Sequence, residues 1–503
     1  MNKPRAALSR RVVLWMAAAF ATVHVVYLLL GLRFDSTPLT YSWQFIDVEL
    51  MQTRLLESCF YLHGQPPGFS LFLGSVVKLF GDAHDVALHA FFLGFGLVLY
   101  GAVYALLRML DASRGVAFTV STLFMASPAF VLYEHYLFYT VPVTAMLAVS
   151  ALLFYKTLSR ERVWWSVGFF FVLFLLCVTR SLFHIVFFVA AAGVLLVFTK
   201  HRRRVLVTSL VFFLAVSSLY AKNQLLFGKF TASTWLGMNT WRMVGRHISP
   251  EDRRKLVHEG KLSELALVRW FSPLEDYPSE YVKTPVHEDI PVLAHARKST
   301  GGVNYNHEAY IPISDQCFRD ALGAVRHRPK ALAIGLASSW FVYFTAASDY
   351  GLIVEENVAA AAPVKCVYDY AFYGKLPTNL SKLQGFPTSN TARYLYAVLL
   401  IGLPLLWVFG LRAGFRGRIG AASLSPARRA LVLYLCGTIL YVAFIGNCFE
   451  GGENNRFRFM TDPMYLALLG VFLHFRLIPW LRRLARRGTE RTDEEQRLSR
   501  TGP

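Results

Sequence analysis

The sequence predicts an all-α integral membrane protein that crosses the bilayer many times. Hydrophobic residues make up 55% and aromatic residues 15% of the 503-residue chain, and the mean hydropathy is +0.40. The apolar residues come in runs of about 20, the length that a helix needs to cross a bilayer. The net charge of +20 does not indicate a nucleic-acid partner, because the Lys and Arg residues lie in short clusters between apolar runs, as in cytoplasmic loops.

Ten segments are predicted to be crossing helices. They are residues 12–32, 86–108, 115–133, 137–155, 163–179, 181–199, 205–221, 392–412, 429–448 and 462–481. The first is too long for the core of a signal peptide and no small-residue cleavage site follows it, so it is predicted to be a retained helix. With ten crossings, every basic cluster lies on the cytoplasmic side, in agreement with the positive-inside rule.

Two other apolar segments, 66–80 and 331–348, are too short to cross. If 66–80 were a crossing helix, the basic stretch 108–114 would lie outside and every later segment would be inverted. We therefore predict two re-entrant or interfacial helices, the first of which starts at a proline pair that a first helical turn tolerates. Backbone at membrane depth has to be buried in protein or line a wet cavity, so both segments point to a site that opens outward.

The crossing pattern divides the chain into four parts. Residues 1–221 form an N-terminal transmembrane core whose first outer loop is 33–65. Residues 222–391 form an extracytoplasmic segment, α-rich or mixed, with no known motif. Residues 392–482 form the C-terminal transmembrane helices, and the charged tail 483–503 is expected to be disordered and cytoplasmic.

The first outer loop contains two acids, Asp47 and Glu49. On a helix they would point about 200° apart, whereas in an extended segment they would share a face. A carboxylate held partly desolvated at the membrane interface can have its pKa raised and act as a general base, although an ordinary solvated loop carboxylate fits the same pattern. His63 and Gln65 directly precede the proline pair, which fixes their direction; His63 also fits a structural role.

A second outer turn, "YEHYLFYTVP", places Glu134, His135 and Tyr139 between two apolar helices. Polar residues are common in such turns, and aromatic residues are common at the membrane interface, so a structural reading stays open. Arg180 lies at the outer junction of two further helices. An arginine near the membrane is costly and usually has an anionic partner, although a snorkelling arginine is the alternative.

A third outer stretch, "NRFRFMTDP", places Arg456 and Arg458 at the start of the last helix, alternating with phenylalanines. Two cations on the outer face run against the positive-inside trend. Guanidinium groups suit the oxygens of a lipid-linked phosphate, and the rings suit its apolar chain. The alternative is salt bridging to three nearby acids, Glu450, Glu453 and Asp462.

Together these elements resemble the GT-C superfamily of glycosyltransferases, multi-span enzymes that take a sugar from a polyprenyl-phosphate donor at the outer membrane face. The resemblance is clearest with bacterial members related to protein O-mannosyltransferases and lipid A aminoarabinose transferases. It rests on the acidic loop followed by "HGQPPGF", on the turn "YEHYLFYTVP" and on "NRFRFMTDP". The acidic element departs from the family pattern, because this chain has Asp-x-Glu where the family has Asp-x-Asp, Asp-Glu or Glu-x-Asp.

The resemblance implies inverting in-line transfer of a sugar to a glycan, lipid or protein acceptor, at the outer face of what is expected to be a bacterial inner membrane, with the site towards the periplasm or exterior. Asp47 or Glu49 would be the base. Arg456, Arg458 and Arg180 would bind the donor phosphate. The sugar and acceptor contacts would be His63, Gln65, Glu134, His135 and Tyr139. No cofactor is required, because arginines can stabilise a lipid phosphate leaving group; a divalent cation at Asp47 and Glu49 stays open.

Two other functions fit the sequence. A flippase or transporter of a lipid-linked substrate would need charged residues along the depth of the bilayer and often shows inverted repeats. The polar residues concentrate on the outer side and no repeat is evident, which favours an enzyme. A glycan ligase or polymerase would share the same site chemistry and is not separated from a transferase by the sequence.

Overall fold

A computed structural model describes residues 10–378, 393–419 and 422–483. The tail predicted to be disordered, apart from Arg483, lies outside the described residues. The helices are α1 Arg10–Leu29, α2 Pro38–Tyr41, α3 Val48–Thr53, α4 Leu55–Tyr61, α5 Gly68–Phe80, α6 His84–Met109, α7 Arg114–Met125, α8 Pro128–Glu134, α9 Thr140–Ser159, α10 Val163–Thr179, α11 Ile185–Phe198, α12 Arg202–Phe227, α13 Leu236–Gly245, α14 Pro250–His258, α15 Pro291–Ala294, α16 Tyr310–His327, α17 Pro329–Tyr343, α18 Glu355–Val367, α19 Ala397–Arg416, α20 Pro426–Phe449 and α21 Asn454–Phe472.

Strands are a minor feature of the described chain. They form two short antiparallel pairs: β1 Lys375–Pro377 with β2 Tyr394–Tyr396, and β3 Arg418–Ile419 with β4 Ala422–Ser423. Neither pair belongs to a larger sheet, so the architecture within the described ranges is helical.

The helices include many that can cross a membrane. Over the described residues, seven helical stretches are long and apolar enough by length and composition, and the pair α7 and α8 makes an eighth if it is one bent span. Two shorter apolar helices, α10 and α11, have 17 and 14 residues. The predicted fold class, an all-α multi-span integral membrane protein, is confirmed. The ten crossings remain a prediction, because they require α10 and α11 to span as well.

One predicted span, 115–133, is broken rather than straight. α7 and α8 meet at an angle of 57°. The Ser127 hydroxyl caps α8 by accepting from the N–H of Phe130 at 3.3 Å, and Pro128 has no N–H with which to continue the hydrogen bonds of α7. The break turns α8 away from the direction of α7, and the residues of the turn after it, 135–139, are buried.

The predicted re-entrant segment 66–80 is the short helix α5. It ends at Gly81, whose φ of 53° and ψ of −126° suit glycine alone. The Phe72 ring lies 5.6 Å from the ring of Phe91 and 5.9 Å from that of Phe95, so α5 folds back along α6. Its 13 residues span about 20 Å, less than the roughly 30 Å of the hydrocarbon layer.

The segment between α12 and α19 has a hydrophobic core of its own. Aromatic residues dominate it, and Trp235, Trp241 and Tyr310 are fully or almost fully buried. α13 and α16 pack so closely that a Cβ at Gly237 would overlap the carbonyl of Ser314. The other predicted short apolar segment, 331–348, is α17, which packs on α13 and α16 and on the membrane helices α20 and α21. It therefore joins this core to the membrane helices.

Candidate functional site

Three buried arginines meet where the predicted outer ends of the membrane helices contact the segment between α12 and α19, the predicted extracytoplasmic segment. Arg180 follows α10, Arg242 lies on α13 and Arg456 lies in the first turn of α21; their exposed fractions are 5%, 7% and 0%. We call them the arginine cluster. Glu453, the N-cap residue of α21, forms an ion pair with Arg456, and Arg242 pairs with Glu450 and donates to the carbonyl of Gly451 at 2.9 Å.

Aromatic rings from the turn after α8, together with the ring of Tyr350, pack against the guanidinium groups. The Arg456 Cζ lies 4.6 Å from the ring centre of Phe138, 5.3 Å from that of Tyr139 and 5.2 Å from that of Tyr350. The Arg180 Cζ lies 4.5 Å from the ring centre of Tyr139. Such cation–π contacts are strongest when desolvated, and they leave the guanidinium edges available for hydrogen bonds.

The arginine cluster has more donors than the described residues satisfy. Nε and Nη1 of Arg456, Nε of Arg180 and Nε of Arg242 are buried with no hydrogen-bond partner, and so is the hydroxyl of Tyr350. A buried polar group without a partner costs about 1–3 kcal/mol, and a charged one more. The arrangement therefore favours an anionic ligand with several oxygen atoms.

The charges of the cluster act on one another. Burial lowers the pKa of the Arg180 guanidinium, and the neighbouring Arg456 lowers it further, to about 9. Burial raises the pKa of the Glu453 carboxyl, but Arg456, Arg242 and Arg180 outweigh this effect and hold the pKa below its ordinary value. Glu453 is thus a charged counter-ion, and three guanidinium groups face two glutamates.

A small cavity lies beside the cluster, at the start of α5. Its lining includes Gln44, Gln65 and Tyr139. The Gln44 Oε1 accepts from the hydroxyl of Tyr139 at 2.7 Å and from Nη1 of Arg180 at 3.1 Å, and the Gln65 Oε1 accepts from the hydroxyl of Ser181 at 3.0 Å. The structure therefore brings together four residues that the sequence singled out: Gln65, Tyr139, Arg180 and Arg456.

The two predicted acids lie in a different setting. The carboxylate of Asp47 caps α3 and accepts from Ser299, from the N–H at 2.6 Å and from the hydroxyl at 2.5 Å. Glu49 is exposed. Among the described residues, no group of three or more His, Cys, Asp or Glu side chains is arranged to hold a metal ion. Asp47 thus joins the first outer loop to the extracytoplasmic segment through Ser299.

A third acid of the same loop, Asp35, was missed by the sequence reasoning. It is 7% exposed; its Oδ1 accepts from the N–H and the hydroxyl of Thr37 at 3.0 and 2.5 Å, and its Oδ2 is buried with no hydrogen-bond partner in the described structure. A parallel β-bridge pairs Asp35 with Tyr136. The signal that could have found it is its position as the first acid after α1.

The β-bridge places Asp35 beside Tyr136, whose ring neighbours an aromatic residue of the arginine cluster. Paired residues of a bridge place their side chains on the same face, so the carboxylate of Asp35 shares a face with the ring of Tyr136. That ring lies 6.3 Å from the ring of Tyr350, which in turn faces Arg456. The neighbours Phe34 and His135 point to the opposite face, where Phe34 stacks on His89 at 4.9 Å.

Glu134 and His135 belong to a separate polar cluster. Glu134 is fully buried and bonds to Nε2 of His24 on α1, in a space that Gly96 leaves open, since a Cβ there would overlap the carboxylate. The His135 ring lies 6.0 Å from that of His24 and 5.2 Å from that of His89. The two residues therefore connect α1, α6 and α8.

His63 and Arg458 also lie apart from the arginine cluster. The ring nitrogens of His63 bond to the hydroxyl of Thr234 at 2.7 Å and to the carbonyl of Asn306 at 2.8 Å, so neither is free for a sugar. Arg458 is two residues beyond Arg456 on α21, about 200° around the helix, and its Nε lies 3.8 Å from Asp462.

Comparisons with known proteins assign this chain to no family. No protein-family model matches the chain, and no curated protein matches it. Among solved structures, the chain is similar to the crystal structure of ArnT from Cupriavidus metallidurans in the apo state, with a TM-score of 0.32 and 13% identity over 92% of this chain and 78% of that chain. The TM-score and the sequence identity are too low for fold or function to be inferred from this likeness.

Proposed function

We propose that this chain is a membrane glycosyltransferase of the GT-C type, which moves a sugar from a polyprenyl-phosphate donor to an acceptor at the outer membrane face. The observation on which the proposal depends is the arginine cluster: buried guanidinium N–H groups without partners, at the outer ends of membrane helices. A lipid phosphate offers the oxygens that these donors lack, and its chain can stay in the bilayer.

The donor phosphate would bind Arg456 and Arg180, with the hydroxyl of Tyr350 as a further donor. As the acceptor oxygen attacks the anomeric carbon, the bond between that carbon and the phosphate oxygen breaks and its electron pair stays on the phosphate. The charge that grows on the lipid phosphate is then stabilised by guanidinium groups already in place. Gln44, Gln65 and Tyr139 would contact the sugar.

Asp35 is the base that we propose to accept the acceptor's proton. Its Oδ2 is buried and has no hydrogen-bond partner in the described structure, and its side chain shares a face with that of Tyr136, whose ring lies 6.3 Å from the ring of Tyr350. The carboxylate of Asp47 is engaged by Ser299, which fits a structural role better, and Glu49 is exposed, which fits a solvated surface carboxylate. A general base has to reach the proton directly or through one water.

The placement of buried charge favours an enzyme over a transporter. The fully buried Asp, Glu, Lys and Arg residues of the described chain all lie in outer loops, in the extracytoplasmic segment or at the outer ends of α8 and α21. A transporter would need such groups along the depth of the bilayer.

The test is transfer of a radiolabelled sugar from a panel of polyprenyl phosphates by the purified protein in proteoliposomes. We expect transfer by the wild type with at least one donor, a rate about 10²–10⁴-fold lower in Asp35→Asn, and retained activity in Asp47→Asn and Glu49→Gln. Loss in Asp47→Asn with retention in Asp35→Asn would move the base back to Asp47. A folded wild type that moves labelled lipid between leaflets and transfers nothing would overturn the proposal.

A further inference from the structure

Two further arginines lie on the extracytoplasmic segment, outside the arginine cluster. Arg246 directly follows α13 and Arg269 precedes Trp270. The guanidinium Cζ atoms lie 5.5 and 6.0 Å from the ring centre of Trp270. Neither Arg246 nor Arg269 takes part in an ion pair with another described residue.

The backbone next to Trp270 is strained. Phe271 has a φ of 53°, which side chains of this size rarely adopt. Its ring is held between those of Trp43, Trp235 and Tyr305 at 4.7, 5.5 and 5.5 Å, and its carbonyl accepts from the hydroxyl of Tyr305 at 2.5 Å. The aromatic cage fixes the turn and leaves Trp270 half-exposed at the surface.

The outer arginines continue the arginine cluster. Arg242 donates to the carbonyl of Gly451, and Nη1 of Arg246 lies 3.8 Å from the position that a Cβ on Gly451 or Gly452 would take. Guanidinium groups therefore extend from the buried arginine cluster to Arg246 and Arg269 at the surface. Glu450 and Glu453 form their ion pairs only with Arg242 and Arg456, which are buried.

We propose that Arg246, Trp270 and Arg269 form an acceptor subsite for a saccharide that bears carboxylate or phosphate groups. The indole face would pack against the apolar face of a sugar ring, and the two guanidinium groups would bind the anionic substituents. The assignment of this ligand as the acceptor rests on the proposed function, in which the neighbouring arginine cluster binds the donor phosphate. The outer end faces water, as a glycan acceptor requires.

The test is binding, measured without donor on the full chain in nanodiscs of phosphatidylcholine. The probes are a fluorescent hexasaccharide of alternating glucuronate and N-acetylglucosamine, the same glycan after carboxyl reduction, and a phosphorylated pentamannose. We expect at least one acidic probe to bind about tenfold or more tightly than the reduced glycan. Arg246→Gln/Arg269→Gln and Trp270→Leu should each lose most of that binding, while Arg254→Gln, which removes an exposed arginine from α14, should keep it.

Several results would overturn the subsite. They are equal binding of acidic and reduced glycans, no binding of either acidic probe, an equal loss in Arg254→Gln, or displacement of the probe by phosphatidylglycerol vesicles, which would indicate a lipid ligand. If the wild type transfers sugar but gives any of these results, the acceptor subsite is rejected and the proposed transferase function stands. Acidic-glycan binding without transfer from any donor would reject the transferase and the acceptor role.

Discussion

Replacement of Arg456 by glutamine is expected to reduce sugar transfer far more than it reduces fold stability. The side chain is fully buried against four aromatic rings, and two of its nitrogens have no partner in the described structure. If both bind the donor phosphate, and each charge-assisted hydrogen bond is worth about 1.5–3 kcal/mol, the change removes about 3–6 kcal/mol from the transition state. That corresponds to a fall in kcat/KM of about 10²–10⁴-fold.

Stability has to be separated from transfer, because Arg456→Gln also leaves Glu453 with one partner fewer. The double variant Arg456→Gln/Glu453→Gln removes both charges and should recover most of the lost melting temperature without recovering transfer. Arg458→Gln removes an equally buried arginine two residues further on, and should lower the melting temperature with a much smaller loss of transfer.

The assay is initial-rate transfer in proteoliposomes, alongside thermal unfolding of each variant in detergent. Recovery of transfer in the double variant would show that the loss came from an unpaired Glu453 and would refute phosphate binding by Arg456. Equal losses in the Arg456 and Arg458 variants would refute the assignment of the donor phosphate to the arginine cluster and favour the sequence-based expectation that both residues bind it.

Three further predictions concern other groups of the structure. Asp35→Asn should lower kcat by about 10²–10⁴-fold with an unchanged melting temperature, and a fall below tenfold would exclude it as the base. Glu134→Ala should destabilise the fold by about 3–5 kcal/mol because it breaks a buried pair, and adding His24→Ala should cost little more; an additive loss in thermal unfolding would show that the two do not interact. Because the pKa of Glu453 is held below its ordinary value, its ion pairing stabilises the fold above the unfolded carboxyl pKa of about 4.3 and is lost as the pH falls through the lower folded pKa. The melting temperature of Glu453→Gln should therefore fall less than that of the wild type as the pH is lowered from 5 into the acid range. An equal fall in the two proteins would contradict this prediction.

The residues of the predicted outer loops show which members of the candidate site local sequence patterns identify and which they do not. Local patterns at the predicted outer ends of helices singled out Gln65, Tyr139, Arg180 and Arg456, and the fold brings these residues to one place because those helix ends meet there. The only local signal for Asp35 was its position as the first acid after α1, and its burial beside Tyr136 comes from a β-bridge to a turn about a hundred residues away. His63 looked like a ligand residue, yet Thr234 and Asn306 of the extracytoplasmic segment occupy both of its nitrogens.

The sequence by itself determined the all-α membrane class, because hydropathy and the positions of basic residues act segment by segment and need no partner. It also indicated that residues 66–80 are too short to cross, since helix length is a local property. Only the tertiary structure decided which polar side chains share a site. Arg180, Arg242 and Arg456 come from three distant helices, and their shared burial, their rings and their unpaired N–H groups exist only once those helices have packed together.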